Sequence, residues 1–334
     1  MSLTNMLDKD TEIKRILSQI TPKKSDFFTD SGKEAFSSLY DLKVDYNLKS
    51  NYEASLVGIA FDYLARFRIA QITKMDLNLI HPLKAVDGLK IIQKDHPTEN
   101  FESEYIDMGI KINKFIGKGK PEYSEELYAI ALKCAKLEFI ARNKYPDIDG
   151  YKNIPRIEEL KIELANLIEV FEENFITSRR VHRKSKVAFN PKFGIGSILL
   201  GADADIIIDG ILYDFKTTKS HLFNLKDAQQ LSGYYLLNLF SNKVENHELI
   251  SESVQEKQFV FEKLCMYKAR FGEFEQVDLR LLFSEQEIDE ALHRMSEFLL
   301  KSFNFSHKMK IMRANNFADP TEYERAIQSI NDSN

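Results

Sequence analysis

The stretch from Asp203 to Lys219 constrains this chain most, because it has room for one local structure. Ile206 to Ile208 and Ile211 to Phe215 are short apolar runs, and Asp209-Gly210 stands between them. An Asp-Gly pair supplies the two positive-φ positions of a two-residue turn, so the spacing predicts a β-hairpin. Residues two apart on a strand point to one face. Asp214 and Lys216 therefore project together. Asp205, at the foot of the partner strand, lies beside them across the ladder.

Two carboxylates and an ammonium in so small a volume suit Mg²⁺ or Mn²⁺, which take hard oxygen ligands. A neighbouring lysine can orient an attacking water or stabilise a crowded phosphorus centre. Asp203 competes with Asp205 for this place. Asp205 is preferred because it immediately precedes the apolar strand, which leaves Asp203 as a loop acid or supporting group. Asp209 is read as the turn residue. Thr217 and Thr218 fit either phosphate contact or plain strand formation.

These residues carry a family resemblance. Asp205, followed by Asp214-Phe215-Lys216, resembles the acid and (D/E)-x-K core of the PD-(D/E)XK nuclease superfamily. The run from Gln230 to Tyr234 resembles the Q-x-x-x-Y motif of its RecB-like branch. Asn224 reads as the cap of that helix, with Asp227 answering it at the third position. Gln230 and Tyr234 are four apart and share a helix face. Tyr267 to Glu273 resembles the strand and turn that follow this helix in such enzymes. The likeness covers roughly residues 185 to 280.

The resemblance implies an α/β fold with a restriction-endonuclease-like core, a mixed central sheet flanked by helices. It implies metal-dependent hydrolysis of DNA phosphodiesters, of the exonuclease type. Asp205, Asp214 and the backbone carbonyl of Phe215 would hold Mg²⁺ or Mn²⁺, and Lys216 would act on the scissile phosphate. Gln230 and Tyr234 would place the substrate strand. A weaker likeness runs from Gly58 to Arg66, similar to the G-x-x-x-H helix whose histidine can ligate metal. Asp62 stands in that histidine's place. It serves either as a further metal ligand or as the partner of Arg66 one turn on. A helicase or recombinase partner would come from another chain. The alternative is a nucleic-acid-binding module or mobile-element scaffold with a nuclease fold and little catalysis.

Composition narrows the setting. The 334 residues are 43% hydrophobic and 29% charged, ample for a globular core. No apolar run reaches the length of about eighteen residues that a membrane span needs. The first residues lack the apolar region of a signal peptide, so a cytoplasmic protein is expected. The two cysteines, Cys134 and Cys265, lie in apolar segments and read as buried thiols; two cannot supply the four ligands of an iron–sulfur cluster. The net charge of −5 excludes a generally basic nucleic-acid coat. Positive charge is local instead. Arg179, Arg180, Arg183, Lys184 and Lys186 cluster just ahead of the hairpin, and Lys114, Lys118 and Lys120 form a smaller group. Arg180, Arg183 and Lys184 are candidate phosphate contacts beside a nuclease core. His81 and His96 precede prolines in loops, and no histidines are spaced as a metal site.

Residues 1–175 read as mainly helical and form part of the cleft, 176–310 as the core, and 311–334 as a C-terminal tail. Leu56 to Gln71 is apolar nearly all round, which predicts a buried helix. A helix from Glu122 to Asn143 follows Pro121, and another follows Pro155 with an apolar stripe from Ile157 to Phe171. Ser284 and Glu287 form a capping box for a late helix.

Overall fold

The computed structural model describes residues 3–75, 84–193, 204–245 and 259–302. Asp203, His81 and the tail from 311 to 334 lie outside the described residues. The chain is mixed α/β. The helices are α1 (Leu3–Lys9), α2 (Thr11–Ser18), α3 (Asn51–Thr73), α4 (Lys84–Asp95), α5 (Phe101–Gly117), α6 (Glu125–Asn143), α7 (Ile148–Lys152), α8 (Ile157–Phe171), α9 (Leu225–Glu245), α10 (Leu279–Leu282) and α11 (Glu285–Ser302). The strands are β1 (Phe28–Thr29), β2 (Val187–Phe189), β3 (Ile206–Ile208), β4 (Ile211–Lys216), β5 (Lys263–Lys268) and β6 (Glu273–Asp278). They form one six-stranded sheet in the order β1-β6-β5-β4-β3-β2.

The expected hairpin is present. Ile206 pairs with Tyr213 and Ile208 with Ile211, and Asp209 and Gly210 turn the corner at φ 47° and 81°. β4 then passes through α9 and returns as β5, paired parallel to β4, as a β-α-β unit requires. The β5–β6 pair is the expected strand and turn, closed by Gly272 at φ 66°.

Helices cover both faces of the sheet, which is why its strands are apolar on both sides. Ile206, Ile208, Tyr213, Cys265 and Tyr267 face a core built with α3 to α8. The alternate residues Ile207, Leu212, Leu264 and Met266 face a second core built with α1, α2, α9 and α11. α3 is buried on most of its circumference because it lies between the sheet and the other helices, as its all-round apolarity predicts. Ser284 and Glu287 make the predicted reciprocal capping bonds. Cys134 and Cys265 are free and buried. No described helix is long and apolar enough to cross a membrane.

Segments before residue 175 enter both cores. α1 and α2 join the core beneath α9 and α11, and β1 pairs with β6 as an edge strand. The amphipathic patterns of these segments show an apolar face but not which partner covers it.

Candidate active site

β4 carries two of the candidate side chains to its C-terminal end. Asp214 and Lys216 alternate with Tyr213 and Phe215, which belong to the core under α3 and α8. The Lys216 ammonium lies 2.8 Å from Asp214 Oδ2 and 3.2 Å from Asp227 Oδ1 in the first turn of α9. Asp205 is fixed from both sides. Its Oδ2 accepts a 2.8 Å hydrogen bond from the Phe215 N–H, and its carbonyl accepts one of 3.0 Å from the Asn190 N–H. A side chain thus continues the ladder one step beyond the Ile206–Tyr213 pair, which holds Asp205 across from Asp214.

The charges are closely coupled. Burial pushes the Asp214 carboxyl up to about 7; Lys216 opposes this and the nearby Asp205 adds to it. Burial acts to lower Lys216, but the attraction of Asp214 and Asp227 outweighs it and the ammonium is held above its ordinary value.

Asp205, Asp214 and Lys216 line a cleft of about 590 Å³ whose other wall is made by Gly58 and Asp62 of α3 and Arg142 of α6. A Cβ at Gly58 would stand 3.2 Å from Thr217 Oγ1, so the glycine lets α3 lie against the end of β4. Asp62 Oδ2 makes the ion pair with Arg66 that the i, i+4 spacing predicts. Its Oδ1 is buried with no hydrogen-bond partner. A larger depression of about 860 Å³ lies at the turn end of the hairpin, beside Lys186 and Gly210. Asp209 is the acid there, and it is taken by the Lys186 N–H at 2.8 Å. Asp205, Asp214 and Lys216 line the smaller cleft instead.

Gln230 and Tyr234 lie one turn and two turns beyond Asp227 on α9. The Gln230 amide donates to the Tyr234 hydroxyl at 2.6 Å. The Tyr234 ring is 4% exposed and packs 5.8 Å from Phe193. Burial, then the charges of Asp214 and Asp205, raise the Tyr234 hydroxyl. This pair backs the acids from the α9 side and does not line the cleft.

The structure does not bring Arg180, Arg183 and Lys184 to this cleft. Arg180 pairs with Asp30, donates to Gln276 Oε1 at 3.1 Å and lies 4.4 Å over the Phe274 ring. It ties the edge strand β1 to β6, so its charge is used within the fold. Arg183 and Lys184 are exposed in the turn before β2. That turn meets Asp209, at the other end of β3 from Asp205. Lys118, of the smaller basic group, is paired with Glu122.

Sequence reasoning missed two site residues. Asp227 reads locally as a capping acid, but its carboxylate goes to Lys216, while Asn224 Oδ1 accepts from the Lys226 N–H at 3.0 Å. Arg142 has no local signal beyond its place in the last turn of a helix.

The donor set fits a hard divalent cation in kind. It is oxygen only, with Asp205 and Asp214 adjoining and the orphaned Asp62 Oδ1 in the facing wall of the same cleft. Among the described residues, no group of three or more His, Cys, Asp or Glu is arranged to hold a metal ion. No family model, no curated protein and no solved structure matches this chain.

Proposed function

We propose that this chain is a metal-dependent nuclease of RecB-like, PD-(D/E)XK type that hydrolyses DNA phosphodiesters, acting as an exonuclease. The observation that carries the reading is the union of Asp205, Asp214 and Lys216 at one end of β4, on the floor of an open cleft. Asp205 and Asp214, with the Phe215 carbonyl, would hold Mg²⁺ or Mn²⁺, and Asp62 Oδ1, which has no hydrogen-bond partner, would add a fourth oxygen. Such a cation supplies a more acidic bound water and neutralises charge on the phosphate. Lys216, held protonated by two carboxylates, would donate to a non-bridging phosphate oxygen as negative charge builds there. The Phe215 N–H fixes the rotamer of Asp205, and Gln230 with Tyr234 keeps the Asp214 side polar but dry. The strand would enter between α3 and the end of β4, and a helicase or recombinase partner would come from another chain.

A second reading is a nucleic-acid-binding module with this arrangement but little catalysis. Incubation of end-labelled linear DNA and of circular DNA with Mn²⁺, Mg²⁺ or EDTA separates the two. The nuclease degrades linear ends only with metal and spares circles. Retained DNA binding without cleavage under any condition supports the module.

A further inference from the structure

The wall of the cleft facing the acids contains one cation that the proposed chemistry leaves unused. Arg142, in the last turn of α6, lines the cleft together with Asp205, Asp214 and Lys216. Its Nε donates to Glu138 Oε1 at 3.0 Å, and its Nη2 bonds the same oxygen. Glu138 is itself buried and anchored, since its Oε2 accepts from the Tyr63 hydroxyl at 2.9 Å. Burial acts to raise Glu138, but Arg142 and Arg66 outweigh it and hold the carboxyl below its ordinary value, so it stays ionised. The guanidinium side chain is nevertheless 56% exposed. One edge of the fork is thus fastened to a buried carboxylate, while Nη1 makes no hydrogen bond among the described residues and the group feels the charge of Asp205.

A guanidinium held in this way is an oriented donor for a second oxyanion. The other nearby cations differ from it. Lys216 is shared by Asp214 and Asp227, Arg66 is buried against Asp62, and Lys219, which also lines the cleft, lies 4.7 Å over the Tyr46 ring with no carboxylate partner among the described residues to orient it. A polyanion entering a cleft of carboxylates needs a cation to offset their repulsion, and Arg142 is the lining cation whose donor edge is held in one orientation. We propose that Arg142 is a substrate-contacting residue that binds a non-bridging oxygen of one backbone phosphate of the strand in the cleft. This rests on the reading of the cleft as a DNA site. Contact with one phosphate makes it a positioning group for the strand, distinct from the metal-binding acids.

The test is binding by the full chain in EDTA, so that no cleavage intervenes, to a fluorescent single-stranded oligothymidylate. A set of these probes carries one neutral methylphosphonate at successive positions. Arg142→Gln should weaken binding about tenfold, the scale of one good arginine contact. At one position the methylphosphonate should weaken wild-type binding by a similar factor and leave Arg142→Gln unaffected. Such non-additivity is the mark of direct contact. Arg142→Lys keeps the charge without the fork and should show a smaller loss at that same position; it decides the matter if Arg142→Gln does not melt cooperatively. If every methylphosphonate costs the variants as much as it costs wild type, Arg142 only braces Glu138 and the proposal fails while the DNA reading stands. If wild type binds none of the probes, the reading of the cleft fails with it.

Discussion

The carboxylate of Asp227 lies 3.2 Å from the ammonium of Lys216, so the first turn of α9 reaches back to the end of β4. The same ammonium is 2.8 Å from Asp214, and both acids raise its pKa. Lys216 is therefore held by an element that follows it in sequence. Asp227→Asn removes the second anchor and leaves Asp205 and Asp214 in place. We expect single-turnover cleavage to slow by roughly three- to tenfold, less than loss of the lysine itself. Mn²⁺ affinity measured by calorimetry should not change. Unaltered cleavage would mean that Asp227 serves the helix alone.

The pH dependence of stability follows from two buried acids. Burial raises Asp214 to about 7, and it also raises Glu275 to about 7 against the attraction of Lys268. The folded protein then keeps protons that the unfolded chain, with carboxyls near 4, has lost. Each acid contributes stability that is complete below about pH 4 and is lost as pH rises through about 7. In urea the metal-free protein should be less stable at pH 8 than at pH 5 on this account. Asp214→Asn and Glu275→Gln should each flatten the slope. A slope unchanged in both variants would remove these acids as its cause.

Asp62 has one oxygen paired with a buried arginine and one with no partner. Asp62→Asn removes the ion-pair partner of Arg66 and leaves it the charge of the buried Glu138 close by, so the metal-free protein should lose up to about 3 kcal/mol. If Oδ1 also meets the cation, the rise in melting temperature on adding Mn²⁺ should shrink relative to wild type. A lowered melting point with the full Mn²⁺-induced rise would confine Asp62 to the ion pair.

Two glycines within helices should respond in opposite directions. A Cβ at Gly88 of α4 would overlap the backbone of Leu137 in α6, whereas at Gly109 of α5 it would meet nothing. Gly88→Ala should destabilise by about 3 kcal/mol, since backbone cannot give way cheaply. Gly109→Ala should stabilise by about 0.5–1 kcal/mol through helix propensity. Chemical denaturation of both variants checks the close α4–α6 approach.

What the sequence made legible was local or periodic. The Asp209-Gly210 turn, the alternation around Asp214 and Lys216, the Gln230–Tyr234 face and the Ser284 cap depend on neighbours within a few residues. The structure forms each of them locally, but the Gln230–Tyr234 face backs the acids and does not line the cleft where it was expected to place a strand. What stayed hidden needed the tertiary fold. Arg180 looked like part of a basic surface, yet it pairs with Asp30 at the edge strand. Arg142 reaches the cleft only because α6 packs on α3, and the first helices lie under α9 and α11 through contacts that no local period encodes. Asp62 was legible as an ion pair or as a ligand, and the geometry pairs one oxygen with Arg66 and leaves the other buried without a hydrogen-bond partner.

The most direct test of the central claim is the single-turnover rate of Mn²⁺-dependent DNA cleavage by wild type and by Lys216→Ala. Equal far-ultraviolet spectra and equal Mn²⁺ affinity must first show that the variant is folded and loaded. The account predicts metal-dependent cleavage by wild type and a loss on the order of a hundredfold or more in Lys216→Ala, as expected for a transition-state electrostatic contact. Cleavage by folded, metal-loaded Lys216→Ala at the wild-type rate would contradict it.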